Sequence, residues 1–113
     1  MASKIVGLGM YAPPKKLTNQ DMEKLVETSD SWITERTGIK SRRIAELGAA
    51  NSDLGLQAAQ KALSDAGVRP DEIDLIVVGT CTPDRPLPST ACFVQKKLGA
   101  RNAFAMDLNA ACS

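Results

Sequence analysis

Two apolar runs of strand length, Ile73 to Gly79 and Ala103 to Leu108, constrain this chain more than any other feature, because helical patterns precede and separate them. The first, Ile-Asp-Leu-Ile-Val-Val-Gly, is nearly continuous in apolar residues and bounded by turn signals, the pattern of a parallel strand buried on both faces. Before it, Asn51-Ser52-Asp53 opens the clearest helix, which runs to Ala66 with Gly67 as its stop and Pro70 beyond. That helix carries a stripe of Gly55, Ala58, Ala59, Ala62, Leu63 and Ala66, small enough for another backbone to approach closely, as in a helix held between layers. Between the runs, residues 80–87 form a proline-rich loop, and a helix starts at Pro88 or Ser89, runs through Ala91, Val94 and Leu98, and stops at Gly99. Helix and strand alternate, so the fold class is α/β, with a largely parallel sheet and right-handed crossovers.

Upstream, Lys4 to Gly9 reads as a short strand closed by glycine, followed by an extended connector through Pro13-Pro14. Thr18 and Asp21 have capping-box spacing, and Met22, Leu25 and Val26 extend a helical stripe to about Glu27. A second helix, capped by Ser29 or Asp30, reaches Thr37, with Gly38 where a left-handed residue is wanted. Residues 39–44 read as a short, partly exposed strand or extended loop.

Composition narrows the function classes. At 113 residues, 43% hydrophobic and 24% charged, the chain is ordinary globular material for one domain with a modest core. A net charge of +1 supplies no global field for nucleic acid or a membrane surface. No apolar run approaches the length of a membrane span, and the opening Met-Ala-Ser-Lys-Ile-Val enters a strand pattern instead of a leader, so a cytoplasmic protein is expected. Cys81, Cys92 and Cys112 are odd in number and lack C-x-x-C spacing, which points to reduced thiols and away from disulfides or zinc; no metal site is expected. There is no histidine, so chemistry needing an imidazole base must draw it from elsewhere. Gly7-Leu8-Gly9 lacks the third glycine of a dinucleotide-binding turn.

Among candidate chemical groups, Cys112 follows the last apolar run through Asn109 and two alanines. A thiol at the end of a buried strand, flanked by small residues, is placed as an α/β enzyme places a nucleophile, although a buried structural thiol is the commoner occupant of such a position. Trp32 lies one helical turn before Arg36, and a flat ring and a planar cation on one face can clamp a nucleotide base; the alternative is a core tryptophan with a solvated arginine. Arg36, Lys40, Arg42 and Arg43 suit either phosphate binding or a solvated edge strand. Asp21, Glu23, Asp71, Glu72 and Asp74 lie at helix starts or turns and are read as caps.

The segments Thr28-Ser29-Asp30-Ser31-Trp32-Ile33, Arg36-Thr37-Gly38-Ile39, Pro88-Ser89-Thr90-Ala91-Cys92 and Asp107-Leu108-Asn109-Ala110-Ala111-Cys112 together resemble the N-terminal portion of β-ketoacyl-acyl carrier protein synthase III. The resemblance implies a thiolase-like αβαβα sandwich, of which residues 1–113 would be most of the first half, the second half being absent from this chain. It implies that Cys112 is the nucleophile acylated by acyl-CoA, that Trp32 and Arg36 hold the CoA adenine with Thr28 beside it, and that Leu87 reaches the acyl pocket of the other subunit of a homodimer. The catalytic His and Asn of the family would lie beyond Ser113. The implied reaction is a decarboxylative Claisen condensation of an acyl-CoA primer with malonyl-acyl carrier protein, with acyl-CoA as substrate and no cofactor. Two alternatives share these motifs in whole or part: a synthase-III-like condensing enzyme or acyltransferase of secondary metabolism, and a non-catalytic CoA-binding or interaction fragment.

Overall fold

A computed structural model of the chain describes residues 2–111, which form two compact units, residues 12–48 and residues 2–11 with 49–111. Cys112, the expected nucleophile, lies outside the described residues.

The unit of residues 12–48 contains β1 (Lys16–Thr18), α1 (Asn19–Glu23), α2 (Asp30–Thr37) and β2 (Ser41–Arg43). β1 and β2 are antiparallel, with Leu17 opposite Arg42. The capping box at α1 is present: the Thr18 hydroxyl accepts from the Asp21 N–H at 3.2 Å, and the Thr18 N–H donates to the Asp21 carboxylate at 3.1 Å. The Thr18 hydroxyl also donates to the Asp21 carboxylate at 2.7 Å, and this bond, with those from the Thr18 N–H and from Lys24, lowers the Asp21 pKa to about 2. α1 ends at Glu23, not near Glu27 as the apolar spacing suggested, and Leu25 and Val26 are exposed. The competing demand comes from the next helix, because the Glu23 carboxylate accepts the Asp30 N–H at 2.7 Å and the chain must turn to bring them together. α2 keeps the expected bounds, with Ser29 as cap and Gly38 after it at φ 69°. β1 is a strand that sequence reading assigned to a connector.

In the other unit, α3 (Asn51–Ala66) is followed by a 3-10 turn at Pro70–Glu72, then β3 (Leu75–Gly79), α4 (Thr90–Leu98) and β4 (Phe104–Leu108). β3 and β4 are parallel neighbours, Leu75 opposite Phe104 and Gly79 opposite Leu108. α4 makes the crossover between them, as the helix-and-strand alternation requires. Ala91, Val94, Ala100 and Ala103 form the buried apolar centre. α3 and α4 pack together, and Lys97 at the end of α4 reaches Ser52 Oγ at 2.7 Å and Asp53 at 2.6 Å. The lysine and the Ala50 N–H hold the Asp53 carboxyl below the usual carboxylate range.

Two strand expectations are corrected. Residues 4–9 are not a strand. Pairing loses there to packing: the segment runs along α3, with Gly7 and Gly9 against the backbone of Ala58, Ala62 and Ala66, the Leu8 N–H donating to Asp65 at 2.9 Å and Lys61 donating to the Met10 carbonyl at 3.1 Å. Nor is β3 buried on both faces. Within this unit Leu75 and Val77 are exposed, and so are Phe104, Met106 and Leu108 beside them, because α4 packs on the face that carries Ile76, Val78, Ala105 and Asp107. No helix among the described residues is long and apolar enough to cross a membrane.

Candidate functional site

The residues 12–48 unit is built around a buried polar side chain. Asn19, 1% exposed, donates through Nδ2 to Asp30 Oδ1 at 2.7 Å and to the Ile39 carbonyl at 2.8 Å, while its Oδ1 accepts from Arg42 at 3.0 Å. Every polar atom is satisfied, so burial is tolerated and the start of α2 is fixed relative to α1 and β2. At that start the Ser29 hydroxyl accepts the Trp32 N–H at 3.1 Å. Ile33 turns into the core of the unit, which sends Trp32 outward: the residue is 56% exposed, so within this unit it is not a core anchor. Glu27, Thr28, Ser29 and Trp32 line an open cavity of about 240 Å³. The Arg36 guanidinium carbon stands 5.8 Å from the centroid of the Trp32 ring. An exposed ring with a cation at its edge of reach can accept a planar, electron-rich heterocycle.

The basic cluster divides. Arg42 is engaged with Asn19, and Arg43 donates to the Pro13 and Pro14 carbonyls, both at 3.1 Å, so these two brace β1 and β2. Lys40 lines a separate open cavity with Thr18, Asn19, Gln20, Asp30 and Thr34.

In the other unit, the C-terminal ends of the two parallel strands frame an open cavity of about 400 Å³ lined by Gly79, Thr80, Cys81, Leu108, Ala110 and Ala111. In open α/β sheets this end of the strands is where ligands bind. Cys81 is exposed and donates its S–H to Asn109 Oδ1 at 3.4 Å, whereas Cys92 lies in α4 with its sulfur 3.2 Å from the Ser89 hydroxyl. Leu87, 84% exposed, sits on the loop from Thr80 to Ser89.

That loop is anchored by three side chains that sequence reading missed. Asn51 donates to the Thr80 hydroxyl at 2.8 Å and the Thr82 carbonyl at 3.1 Å. Asp84 accepts the Ser52 N–H at 2.9 Å, and its own N–H donates to the Thr90 hydroxyl at 3.0 Å. Asp107 accepts the Thr90 and Ala91 N–H groups at 2.6 and 2.8 Å. Each joins residues distant in sequence, so no local spacing signals it. Thr28, Trp32 and Arg36 thus belong to one unit and Leu87 to the other. Among the described residues no group of His, Cys, Asp and Glu side chains could hold a metal ion.

No family model matches the chain. It is 55% identical, over all 113 residues, to β-ketoacyl-[acyl-carrier-protein] synthase III of Caldanaerobacter subterraneus, of which it covers 34%. The crystal structure of 3-oxoacyl-[acyl-carrier-protein] synthase III from Aquifex aeolicus superimposes with a TM-score of 0.93 at 50% identity, over 98% of this chain and 36% of that one. A priming β-ketosynthase from a polyketide biosynthetic pathway follows with a TM-score of 0.92 at 40% identity, over 96% of this chain and 33% of that one. The chain therefore spans about a third of the length of the proteins it matches.

Proposed function

This chain belongs to the β-ketoacyl-[acyl-carrier-protein] synthase III family, with the α/β, thiolase-like fold, and from that premise we propose what the whole enzyme does and which of these residues do it. The enzyme condenses an acyl-CoA primer, acetyl-CoA or similar, with malonyl-acyl carrier protein and so initiates fatty-acid synthesis. Cys112 attacks the acyl thioester carbonyl as thiolate, the tetrahedral oxyanion is held by backbone N–H groups including its own, and CoA leaves as its thiolate, which takes a proton from solvent. Malonyl-acyl carrier protein then loses carbon dioxide, and the resulting carbanion attacks the acyl-cysteine, forming the new carbon–carbon bond and returning the thiolate. His and Asn residues beyond Ser113 polarise the malonyl thioester. CoA is thus a product of substrate turnover and not a cofactor.

In this reading Trp32 and Arg36 hold the adenine, with Thr28 beside it, and Leu87 projects into the acyl pocket of the partner in a cytoplasmic homodimer. Residues 1–113 make up most of the first half of the fold. The observation that carries the reading is the exposed Trp32 ring with Arg36 at 5.8 Å, in a chain matched from end to end by synthases of this kind.

The test is to trap the acyl-enzyme. The whole enzyme is mixed with acetyl-CoA in the absence of malonyl-acyl carrier protein, digested, and its cysteine peptides weighed. An acetyl group on Cys112 and on neither Cys81 nor Cys92 is expected; an acetyl group on Cys81, or on none of the three, defeats the assignment. Repeating the labelling with a panel of acyl donors separates a fatty-acid synthase from a condensing enzyme of secondary metabolism, which would take a different primer.

A further inference from the structure

Asp107 occupies a position where a carboxylate is costly. It lies on the helix-facing side of β4, beside Val78 on β3, in a strand otherwise made of apolar residues. It is stabilised there by the first two N–H groups of α4, which donate to it at 2.6 and 2.8 Å. At most helix starts the cap is the preceding residue, but the Ser89 side chain makes no such bond. The helix N-terminus is therefore capped by a strand 16 and 17 residues later in sequence, with two charge-assisted bonds and a favourable dipole.

What makes this more than a cap is what lies on either side. Directly before α4 is the loop carrying Leu87, whose other anchors, Asn51 and Asp84, tie it to the start of α3. Thr90 serves both ends: its N–H goes to Asp107 and its hydroxyl to the Asp84 N–H. After Asp107 the chain leaves β4 at Leu108 and runs through Asn109, Ala110 and Ala111 to Cys112. One carboxylate thus connects, through two hydrogen bonds, the strand leading to the nucleophile with the base of the loop that reaches the acyl pocket.

We infer that Asp107 is a positioning residue for acyl-chain selectivity: it fixes the Leu87 loop relative to the strand that delivers Cys112, without touching substrate itself. The inference rests on the synthase reading above. Replacing the carboxylate by an amide leaves one acceptor where two N–H groups point and adds a donor against them. The start of α4 then shifts, and the Leu87 loop with it.

The experiment uses the whole enzyme and its Asp107→Asn variant with a panel of acyl-CoA donors from acetyl to longer and branched chains. For each donor kcat/KM is measured, and acylation of Cys112 is followed by mass. The variant is expected to acylate Cys112 with acetyl-CoA, while the ratio of kcat/KM for the longest donor to that for acetyl-CoA changes by about tenfold or more, the scale on which pocket shape discriminates one methylene. A fall in kcat/KM by the same factor for every donor, whatever its size, assigns Asp107 a structural role only and overturns the inference. If Asp107→Asn does not fold, Asp107→Glu, which keeps both acceptors but lengthens the reach, is judged by the same ratio. Failure of the unaltered enzyme to acylate Cys112 would instead sink the synthase reading, and it is visible before any variant is made.

Discussion

The close passage of residues 4–10 over α3 gives a stability prediction that can be worked from the backbone alone. A methyl group at Gly7 would stand 2.6 Å from the Ala62 carbonyl oxygen and 2.8 Å from the Ala66 nitrogen, and one at Gly9 would press still harder into the Ala58 carbonyl and the Ala62 nitrogen. These are backbone atoms inside a helix, which cannot yield without breaking its ladder, so Gly9→Ala is relieved only by lifting the segment. Lifting it forfeits the Leu8–Asp65 and Lys61–Met10 hydrogen bonds, roughly 1 kcal/mol each, and the glycine-on-alanine packing. Little else is lost within this unit, because Ile5, Val6, Leu8 and Met10 already face outward. The expected cost is about 3 to 5 kcal/mol, the hydrogen-bond loss plus an overpacking term of usual size. Gly79→Ala is the control, because nothing stands within 4 Å of its added methyl and glycine in a strand is itself unfavourable by ~0.5 to 1 kcal/mol. Urea unfolding of both variants measures the totals, and amide exchange at Leu8 reports whether the segment has lifted. A Gly9→Ala protein as stable as Gly79→Ala, with Leu8 still protected, would refute the packing described for this segment.

Three further outcomes are expected. Trp32→Ala in the whole enzyme should raise KM for acyl-CoA about 5- to 30-fold, the equivalent of ~1 to 2 kcal/mol of stacking and cation–π energy, and leave KM for the carrier-protein substrate near its starting value; equal changes in both would remove the adenine clamp. Leu87→Ala should shift preference toward longer or branched acyl-CoA by roughly 10-fold or more; an unchanged chain-length profile excludes Leu87 from the pocket. Asp21 is held low by Thr18, so its folded-state pKa of about 2 lies below the ordinary 3.8: its contribution is complete above the ordinary value and is lost as pH falls from there toward 2. Thr18→Val should move the Asp21 carboxyl titration, followed by NMR, back up, and a titration that stays put would show that Thr18 is not the cause.

What could be read from the sequence and what could not divide along the range of the interactions. The capping box at Thr18 and Asp21, the stops at Gly38, Gly67 and Gly99, and the bounds of α2 and α3 follow from bonds spanning a few residues, so spacing reveals them. Residues 4–9 have strand composition, yet what decides their state is the alanine face of α3, about fifty residues away, a place for close approach whose occupant no local spacing identifies. The same limit hid Asn19, an asparagine beside an obvious cap that holds α2 by bonds to Asp30, Ile39 and Arg42. Trp32 and Arg36 were legible as a pair because a helix sets their spacing; that the ring faces outward depends on Ile33 taking the core.

β4 shows how one polar residue can set both register and site. Strand side chains alternate, so Phe104, Met106 and Leu108 share one face, while Ala105 and Asp107 share the other. A slip of one residue against β3 would turn Phe104, Met106 and Leu108 toward the helices and send Asp107 outward. Within residues 2–111 alone, hydrophobicity would favour that slip, since it buries three large side chains exposed there and solvates a carboxylate. Two constraints oppose it. α4 packs against β4 on the helix-facing side, where Ala91 and Val94 are buried, and Phe104 and Met106 in place of Ala105 and Asp107 would overpack that contact. The slip would also strip the Thr90 and Ala91 N–H groups of their acceptor, with no capping bond from Ser89 to replace it. The register that exposes the apolar face is thus the one that caps α4. It also sets Leu108 opposite Gly79, where the strand ends open into the cavity at the base of the segment leading to Cys112.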